Sequence, residues 1–169
     1  MTDSANQHRS HAVEHVRCAV ITVSDTRTEE TDIGGARIVA QLEAAGHHVV
    51  QREIIPDQPE IMRKLLFNLS ERADVEALLM TGGTGITSRD QTYETVSSLL
   101  TKPLPGYGEL FRMLSYQQVG SAAMLSRAIG GMMGDTVLLT MPGSPRAVDL
   151  AMEEVILPEL GHLVSEARR

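Results

Sequence analysis

The sequence predicts a three-layer α/β/α sandwich with a mostly parallel central sheet. Short apolar runs rich in β-branched residues alternate with segments whose apolar residues recur at helical spacing, which is the pattern of strands joined by crossover helices. The apolar runs are nearly continuous, as expected for strands that are covered on both faces. A chain of 169 residues is long enough for one such domain with a sizeable core.

The first half of the chain predicts three strands and two helices. The strands are expected at residues 16–23, 48–55 and 75–80. The weak alternation of the second strand favours a place near a sheet edge. A helix is expected from Ile33 towards Gly46, because glycine commonly follows the last helical turn. Asp57 is the expected N-cap of the second helix, over residues 61–69.

The middle of the second half is less regular. A helix is expected over residues 89–100, with Ser88 or Asp90 as its N-cap. Two prolines and two glycines predict a loop over residues 102–108, after which helical structure resumes. Residues 124–134 show no pattern that predicts an element.

The end of the chain predicts one more strand and a closing helix. The strand is expected at residues 136–141, and the helix starts near Pro145, a residue suited to the first helical turn, and runs towards Leu163. The elements together predict a single domain over residues 16–169. Residues 1–15 are polar, contain three of the six His residues, and predict an N-terminal arm outside the domain.

The composition argues against two classes of function. A formal net charge of −7 with 15 Lys and Arg residues gives no dense basic footprint for a phosphate backbone, and an aromatic share of 3% offers few platforms for stacked bases. A nucleic-acid partner is therefore not expected. No apolar run approaches the roughly 20 residues that cross a bilayer, so a membrane partner is not expected either. The lack of a secretory signal and the single cysteine, Cys18, predict a cytoplasmic location.

Polar or glycine-rich residues follow four of the predicted strands. They are Ser24-Asp25, Pro56-Asp57, Gly82-Gly83-Thr84-Gly85 and Pro142-Gly143-Ser144. Ligands of open parallel sheets bind beyond the carboxyl ends of the strands, so these segments predict a shared ligand site. Each segment also has a simpler interpretation as a turn or as the cap of the following helix.

The glycine-rich segment over residues 81–90 is the most informative. Three glycines within four residues allow positive φ and a close approach of the backbone, so exposed N–H groups favour phosphate oxygens. The segment is not a P-loop, because the lysine of that motif is absent, and Ser88 replaces the third glycine of a dinucleotide fingerprint. A tight turn without a ligand is the alternative. Asp90 is interpreted either as an acidic first-turn residue of a helix or as a magnesium ligand beside the phosphates.

Three segments, at residues 22–25, 81–90 and 141–145, resemble in their order and spacing those of the MoaB/MogA family of molybdenum cofactor biosynthesis proteins. The resemblance spans residues 16–165. The block at residues 106–115 is also similar to one of the family and lies closer to the MoaB branch.

This resemblance implies a molybdopterin-binding domain that transfers AMP from ATP to the terminal phosphate of molybdopterin with Mg²⁺. Asp57 and Asp90 match the family's catalytic or metal-binding aspartates. The expected substrate-binding residues are Ser24, Asp25, Gly82, Gly83, Thr84, Gly85, Glu94, Ser115, Pro142, Gly143 and Ser144. The family also implies a homo-oligomer, a trimer or hexamer, and other enzymes of the molybdenum cofactor pathway as partners.

Two other functions stay open from the sequence. A non-catalytic molybdopterin-binding or carrier protein is the main alternative, although the presence of both Asp57 and Asp90 favours the enzyme. A nucleotide-sugar or dinucleotide pyrophosphatase of the related competence-protein type is less favoured, because such proteins usually carry an additional domain. Ser88 departs from the family pattern, since many relatives carry a second basic residue at that position.

Overall fold

In the computed structural model, which describes residues 12–168, six strands form one sheet with helices on both faces. The strands are β1 (Arg17–Val23), β2 (His48–Ile55), β3 (Ala77–Thr81), β4 (Lys102–Pro103), β5 (Gly130–Met133) and β6 (Thr136–Met141). The helices are α1 (Ile33–Ala44), α2 (Pro59–Ser70), α3 (Thr92–Leu99), α4 (Pro105–Val119), α5 (Pro145–Ala151) and α6 (Leu157–Ala167). A 3₁₀ helix, Gly120–Leu125, follows α4, and a π-helical turn, Met152–Ile156, joins α5 to α6. None of the helices within the described residues is long and apolar enough to span a bilayer.

The sheet has the strand order β2-β1-β3-β6-β5-β4. Strands β2, β1, β3 and β6 are parallel, while β5 is antiparallel to both β6 and β4. The prediction of a mostly parallel sheet is therefore confirmed, and β2 lies at an edge as its apolar pattern indicated. Because β1, β3 and β6 are parallel neighbours, the loops that follow them leave the sheet at the same end.

Side chains of the central strands alternate between two hydrophobic cores. On β1, Cys18 and Val20 face the core under α1, α4, α5 and α6, whereas Ala19 and Ile21 face the core under α2 and α3. All four of these side chains are fully buried. The nearly continuous apolar runs thus have the predicted cause, which is cover on both faces of the sheet.

The N-cap predicted for α2 was wrong. Gln58, not Asp57, occupies the N-cap position, and its side chain makes no capping hydrogen bond. The Asp57 carboxylate instead accepts a hydrogen bond from the backbone N–H of Gln91 at 3.1 Å. A tertiary contact with the segment before α3 has therefore replaced the local cap.

Helix α3 begins later than predicted. It starts at Thr92, and its N-cap is Gln91 rather than Ser88 or Asp90. The reason is that the Asp90 carboxylate accepts a hydrogen bond from the backbone N–H of Thr87, which lies upstream. Asp90 therefore closes a turn of its own before the helix starts.

The loop predicted at residues 102–108 contains β4 and the first turn of α4. Pro105 lies in that first turn, where its fixed φ suits a helix and its missing N–H costs nothing. Gly108 serves close packing instead of flexibility, because a Cβ atom there would lie 2.6 Å from the carbonyl oxygen of Ala128. Proline and glycine were therefore misleading as loop signals here.

Strand β5 lies within the stretch for which the sequence predicted no element. A Cβ atom at Gly130 would lie 2.5 Å from Cδ2 of Leu139 on β6, and one at Gly131 would overlap the carbonyl oxygen of Lys102 on β4. Glycine is needed at both positions because β5 lies too close to β6 and β4 for a Cβ atom to fit. A strand whose first two residues are glycines carries no apolar pattern to recognise.

Most of the predicted N-terminal arm lies outside the described residues, which begin at residue 12. The last part of it contacts the domain: the Val13 N–H donates to the carbonyl oxygen of Gly161 at 3.2 Å. The His15 ring donates from Nδ1 to the carbonyl oxygen of Gly46 at 2.7 Å. Whether residues 1–11 form an arm stays a prediction.

Candidate functional site

A cleft of ≈ 690 Å³ opens at the carboxyl ends of β3 and β6. Many of the predicted site residues line it: Gly82, Gly83, Thr84, Gly85, Asp90, Ser115, Pro142, Gly143 and Ser144. Two loops that are about 60 residues apart in the chain thus lie side by side and both line the cleft, because the strands before them pair along the sheet.

Backbone contacts hold the two glycine-containing loops together. The Gly82 N–H donates to the carbonyl oxygen of Met141 at 3.1 Å, and the Thr81 hydroxyl donates to the carbonyl oxygen of Pro142 at 3.1 Å. A Cβ atom at Gly143 would lie 3.4 Å from the Cα atom of Gly82. Gly82 and Gly83 have φ values of +96° and +63°, which L side chains rarely adopt. Glycine therefore lets the backbone itself form this part of the cleft.

Asp90 is the acidic side chain that lines the cleft. Its Oδ2 atom accepts from the hydroxyl of Thr87 at 2.6 Å and from the backbone N–H of the same residue at 2.8 Å. The Thr87 hydroxyl is the main reason that the pKa of Asp90 lies below its ordinary value. Asp90 is therefore a fixed, ionised carboxylate at neutral pH, as a ligand for a hard cation should be.

Asp57 lies behind the glycine loop and does not line the cleft. A Cβ atom at Gly83 would be 2.5 Å from Oδ2 of Asp57, so the carboxylate packs directly against the loop backbone. The side chain is buried, and this burial is the main reason that the pKa of Asp57 is raised, with the charges of Asp90 and Asp25 adding to it. Asp57 and Asp90 are thus coupled electrostatically across the loop.

Asp25 and Ser24 occupy the end of β1 beside this cluster. The Asp25 carboxylate accepts from the backbone N–H of Asp57 at 3.2 Å and forms an ion pair with Arg89. The hydrogen bond from Arg89 holds the pKa of Asp25 below its ordinary value. Ser24 lines a smaller neighbouring pocket of ≈ 220 Å³, which also includes Gly82 and Gly143 and so adjoins the main cleft.

Glu94 does not line the cleft. Its carboxylate forms an ion pair with Arg127, whose guanidinium also lies 5.2 Å from the centre of the Tyr93 ring. The expected substrate-binding role of Glu94 stays a prediction, and Arg127 pairs with the same carboxylate.

Part of the cleft was not expected from the sequence. Apolar side chains of α4, the 3₁₀ helix and α5 form one wall, and Gln118 and Arg146 add polar groups at its rim. These apolar residues are Phe111, Val119, Leu125 and Leu150. Phe111 and Ser115 lie four residues apart on α4, and this spacing places both side chains on one face of the helix. The signal was missed because residues 102–108 were predicted to be a loop.

The carboxylates alone do not form a complete metal site. Within residues 12–168 no three His, Cys, Asp or Glu side chains are grouped so that they could hold a metal ion. Mg²⁺ in enzymes is commonly bound by one or two carboxylates, with substrate phosphates and water completing the shell. The donor set around Asp90 fits that mode, in which the substrate supplies part of the coordination.

Several known proteins are similar to this chain in sequence and in fold. The model of a family described as a probable molybdopterin binding domain matches residues 19–162. The molybdenum cofactor biosynthesis protein B of Bacillus anthracis is 51% identical over 167 residues, which cover 98% of this chain and 99% of that protein. A crystal structure of a molybdenum cofactor biosynthesis protein B is 52% identical, with a TM-score of 0.89 over 92% of this chain and 97% of that one. The tungsten cofactor synthesizing protein MoaB from Pyrococcus furiosus is 36% identical, with a TM-score of 0.83 over 94% of this chain and 100% of that one.

Proposed function

The chain belongs to the molybdopterin-binding domain family and to molybdenum cofactor biosynthesis, and we propose that it transfers AMP from Mg-ATP to the terminal phosphate of molybdopterin. The similar proteins confirm the resemblance to the MoaB/MogA family. The transfer itself is the proposal, and it would make this chain a nucleotidyltransferase.

The juxtaposition of the glycine loop and Asp90 in one cleft is the observation that carries the proposal. Gly82, Gly83 and Gly85 bring backbone close to the cleft surface, which suits phosphate oxygens. Asp90 offers an ionised carboxylate on the same wall. A cleft of ≈ 690 Å³ is in the range of small-molecule sites and gives room for a nucleotide beside the apolar wall formed by α4.

The reaction requires little covalent chemistry from the protein. An oxygen of the terminal phosphate of molybdopterin attacks the α-phosphorus of ATP, a new P–O bond forms, and the bond to the β-phosphate breaks as pyrophosphate leaves with the electron pair. The attacking group is already anionic, so the protein has to hold both phosphates in line. Mg²⁺ would screen the charges of the phosphates, and Asp90 would hold it. Asp57, from behind Gly83, would keep the loop and the start of α3 in place through its hydrogen bond with Gln91.

We also infer a homo-oligomer, a trimer or hexamer. Large apolar side chains are exposed along α4 and the 3₁₀ helix, with Met124 exposed to 78% and Tyr116 to 63%. Such a concentration of exposed apolar area is typical of protein–protein contacts. Light scattering after size exclusion should give a multiple of the chain mass that Met124→Glu reduces. Phe67→Glu, at an exposed apolar position on α2, is the matched control and should leave the mass unchanged. A monomeric wild-type protein would contradict the inference.

The proposed activity can be tested with purified protein, molybdopterin, ATP and Mg²⁺. Mass spectrometry should detect adenylylated molybdopterin, and Asp90→Ala should reduce its formation by about 10²-fold or more. Asp135→Ala is the matched control, because Asp135 is an exposed carboxylate in the turn between β5 and β6, far from the cleft in the fold. Molybdopterin binding without any product would favour the carrier function, and equal product with Asp90→Ala would remove Asp90 from the proposed site.

A further inference from the structure

A single arginine contacts two backbone carbonyl oxygens of the glycine-rich segment. Arg127 donates from Nε to the carbonyl oxygen of Thr84 at 3.3 Å and from Nη2 to the carbonyl oxygen of Asp90 at 3.1 Å. Its third nitrogen, Nη1, forms the ion pair with Glu94. The guanidinium therefore spans the segment from Thr84, which lies among the glycines, to Asp90, the predicted metal ligand.

Between these two points, the ion pair between the exposed Arg89 and Asp25 at the end of β1 also ties the loop to another element. None of residues 82–91 belongs to either hydrophobic core, and Ile86 is exposed to 68%. Its internal hydrogen bonds join Thr87 to Asp90 and Ser88 to the Gln91 side chain, and they fix only the shape of that turn. The position of the turn relative to the rest of the cleft must come from contacts with other elements.

Arg127 is itself held by the sheet. The next residues are buried or half-buried, and the Ile129 N–H donates to the hydroxyl of Thr140 on β6 at 3.0 Å. The Thr140 N–H in turn donates to the carbonyl oxygen of Ile129 at 2.9 Å. The side chain of Arg127 is only 23% exposed and lies over the Tyr93 ring. A rigid part of the fold therefore anchors the arginine that contacts the loop.

The chemistry of arginine suits this position better than that of lysine. A planar guanidinium has five donors in fixed directions, so it can serve two carbonyl oxygens and one carboxylate at the same time. Bonds from a charged donor to a carbonyl oxygen are stronger than those between neutral groups. Lysine could satisfy one carbonyl oxygen but could not reach the carbonyl oxygens of both Thr84 and Asp90.

We propose that Arg127 is a positioning residue that clamps the glycine loop at Thr84 and at Asp90, and so fixes Asp90 and the loop amides relative to the bound phosphates. Arg127 touches no substrate atom in this role and acts through Thr84 and Asp90. Its effect on catalysis rests on the proposed AMP transfer, whereas its effect on the loop does not. The two parts can therefore be tested separately.

The test uses Arg127→Gln and Arg127→Lys, with Arg112→Gln as the matched control. Arg112 also donates to a backbone carbonyl oxygen, that of Ala128 at 3.2 Å, but it does not reach the loop. Hydrogen exchange of the Thr87 and Asp90 amides reports loop opening, because both amides are hydrogen-bonded inside the turn. We expect exchange at these amides to accelerate about tenfold in Arg127→Gln, less in Arg127→Lys, and not in Arg112→Gln.

Kinetics with ATP and molybdopterin test the positioning role. Arg127→Gln should lower kcat about 10²-fold with a smaller rise in KM for ATP, because a misplaced loop harms alignment more than it harms binding. Arg127→Lys should recover part of kcat. Wild-type exchange rates in Arg127→Gln, or an acceleration no larger than in Arg112→Gln, would overturn the clamp. Faster exchange in Arg127→Gln with an unchanged kcat would overturn the positioning role. A wild-type protein that transfers no AMP would overturn the proposed function, and the exchange measurement would still decide whether Arg127 clamps the loop.

Discussion

Gly82 directly follows β3 and packs against the backbone of Val23 at the end of β1. Replacing Gly82 with alanine tests how this part of the cleft is built. Its φ of +96° is unfavourable for any L side chain. The new Cβ atom would lie 3.3 Å from the carbonyl carbon of Val23 and less than 3.0 Å from its oxygen, a separation that real Cβ atoms essentially never show. Because the obstacle is backbone at the end of a buried strand, no side-chain rotation can relieve it.

The destabilisation has two parts that other glycines can separate. The unfavourable φ costs about 1–2 kcal/mol, and forcing backbone apart in a packed region costs about 1–3 kcal/mol more. Gly82→Ala should therefore lower the free energy of unfolding by about 2–5 kcal/mol. Gly134, with φ +60° and nothing within 4 Å of a new Cβ atom, should show only the first part. Gly106, in α4 with an ordinary φ and open space, should gain about 0.4–1 kcal/mol on replacement by alanine.

Urea unfolding at one protein concentration measures all three variants against the wild type. The midpoints should fall in the order Gly106→Ala, wild type, Gly134→Ala and Gly82→Ala, with unchanged m values. The loss for Gly82→Ala corresponds to a fall in Tm of roughly 4–20 °C for a domain of this size. If Gly82→Ala is as stable as Gly134→Ala, the contact with Val23 does not constrain the backbone and the reasoning is refuted.

Two buried carboxylates give opposite predictions for the pH dependence of stability. Burial raises the pKa of Asp57 above its ordinary 3.8, so ionisation of this carboxyl opposes folding. Relative to the wild type, Asp57→Asn should therefore have a higher urea midpoint, and the difference should grow as the pH rises above about 4. A constant difference between the two midpoints from pH 4 to 7 would contradict this cause. Burial also acts on Asp32, but hydrogen bonds from the Gly35 N–H, Arg52 and Thr22 outweigh it and its pKa is lowered. Asp32→Ala should therefore lower the free energy of unfolding by about 3–5 kcal/mol at pH 7, measured by urea unfolding. This difference from the wild type should shrink as the pH falls through the lowered pKa of Asp32. A difference below about 1 kcal/mol at pH 7 would show that these donors find other partners.

The fold could be predicted where the apolar pattern is a direct consequence of burial. Strands β1, β3 and β6 lie at the centre of the sheet with both faces covered, and their sequences carry the expected apolar runs. The prediction failed where glycine serves packing and where proline begins a helix. Gly130 and Gly131 in β5 leave room for neighbouring strands, and Gly108 allows α4 to approach Ala128, so the same residue type that marks a loop elsewhere lies here in regular structure.

The site could be predicted to the extent that strand ends identify it. Gly82, Asp90 and Gly143 line one cleft as the strand ends indicated, whereas Asp57 lies behind the loop and Glu94 pairs with Arg127. Sequence spacing places a residue at the end of a strand but gives no direction to its side chain. The direction depends on which backbone or side-chain groups in other segments bind it.

The sequence by itself determined the alternation of strands and helices, the two-sided burial of the central strands, and the glycine and aspartate residues available at their ends. These properties are local, because each depends on residues within one element. Only the tertiary structure decided that Arg127, from a stretch with no recognisable pattern, contacts the carbonyl oxygens of Thr84 and Asp90. Such contacts join a side chain to backbone carbonyl oxygens about 40 residues away in the chain. A carbonyl oxygen carries no sequence signal of its own.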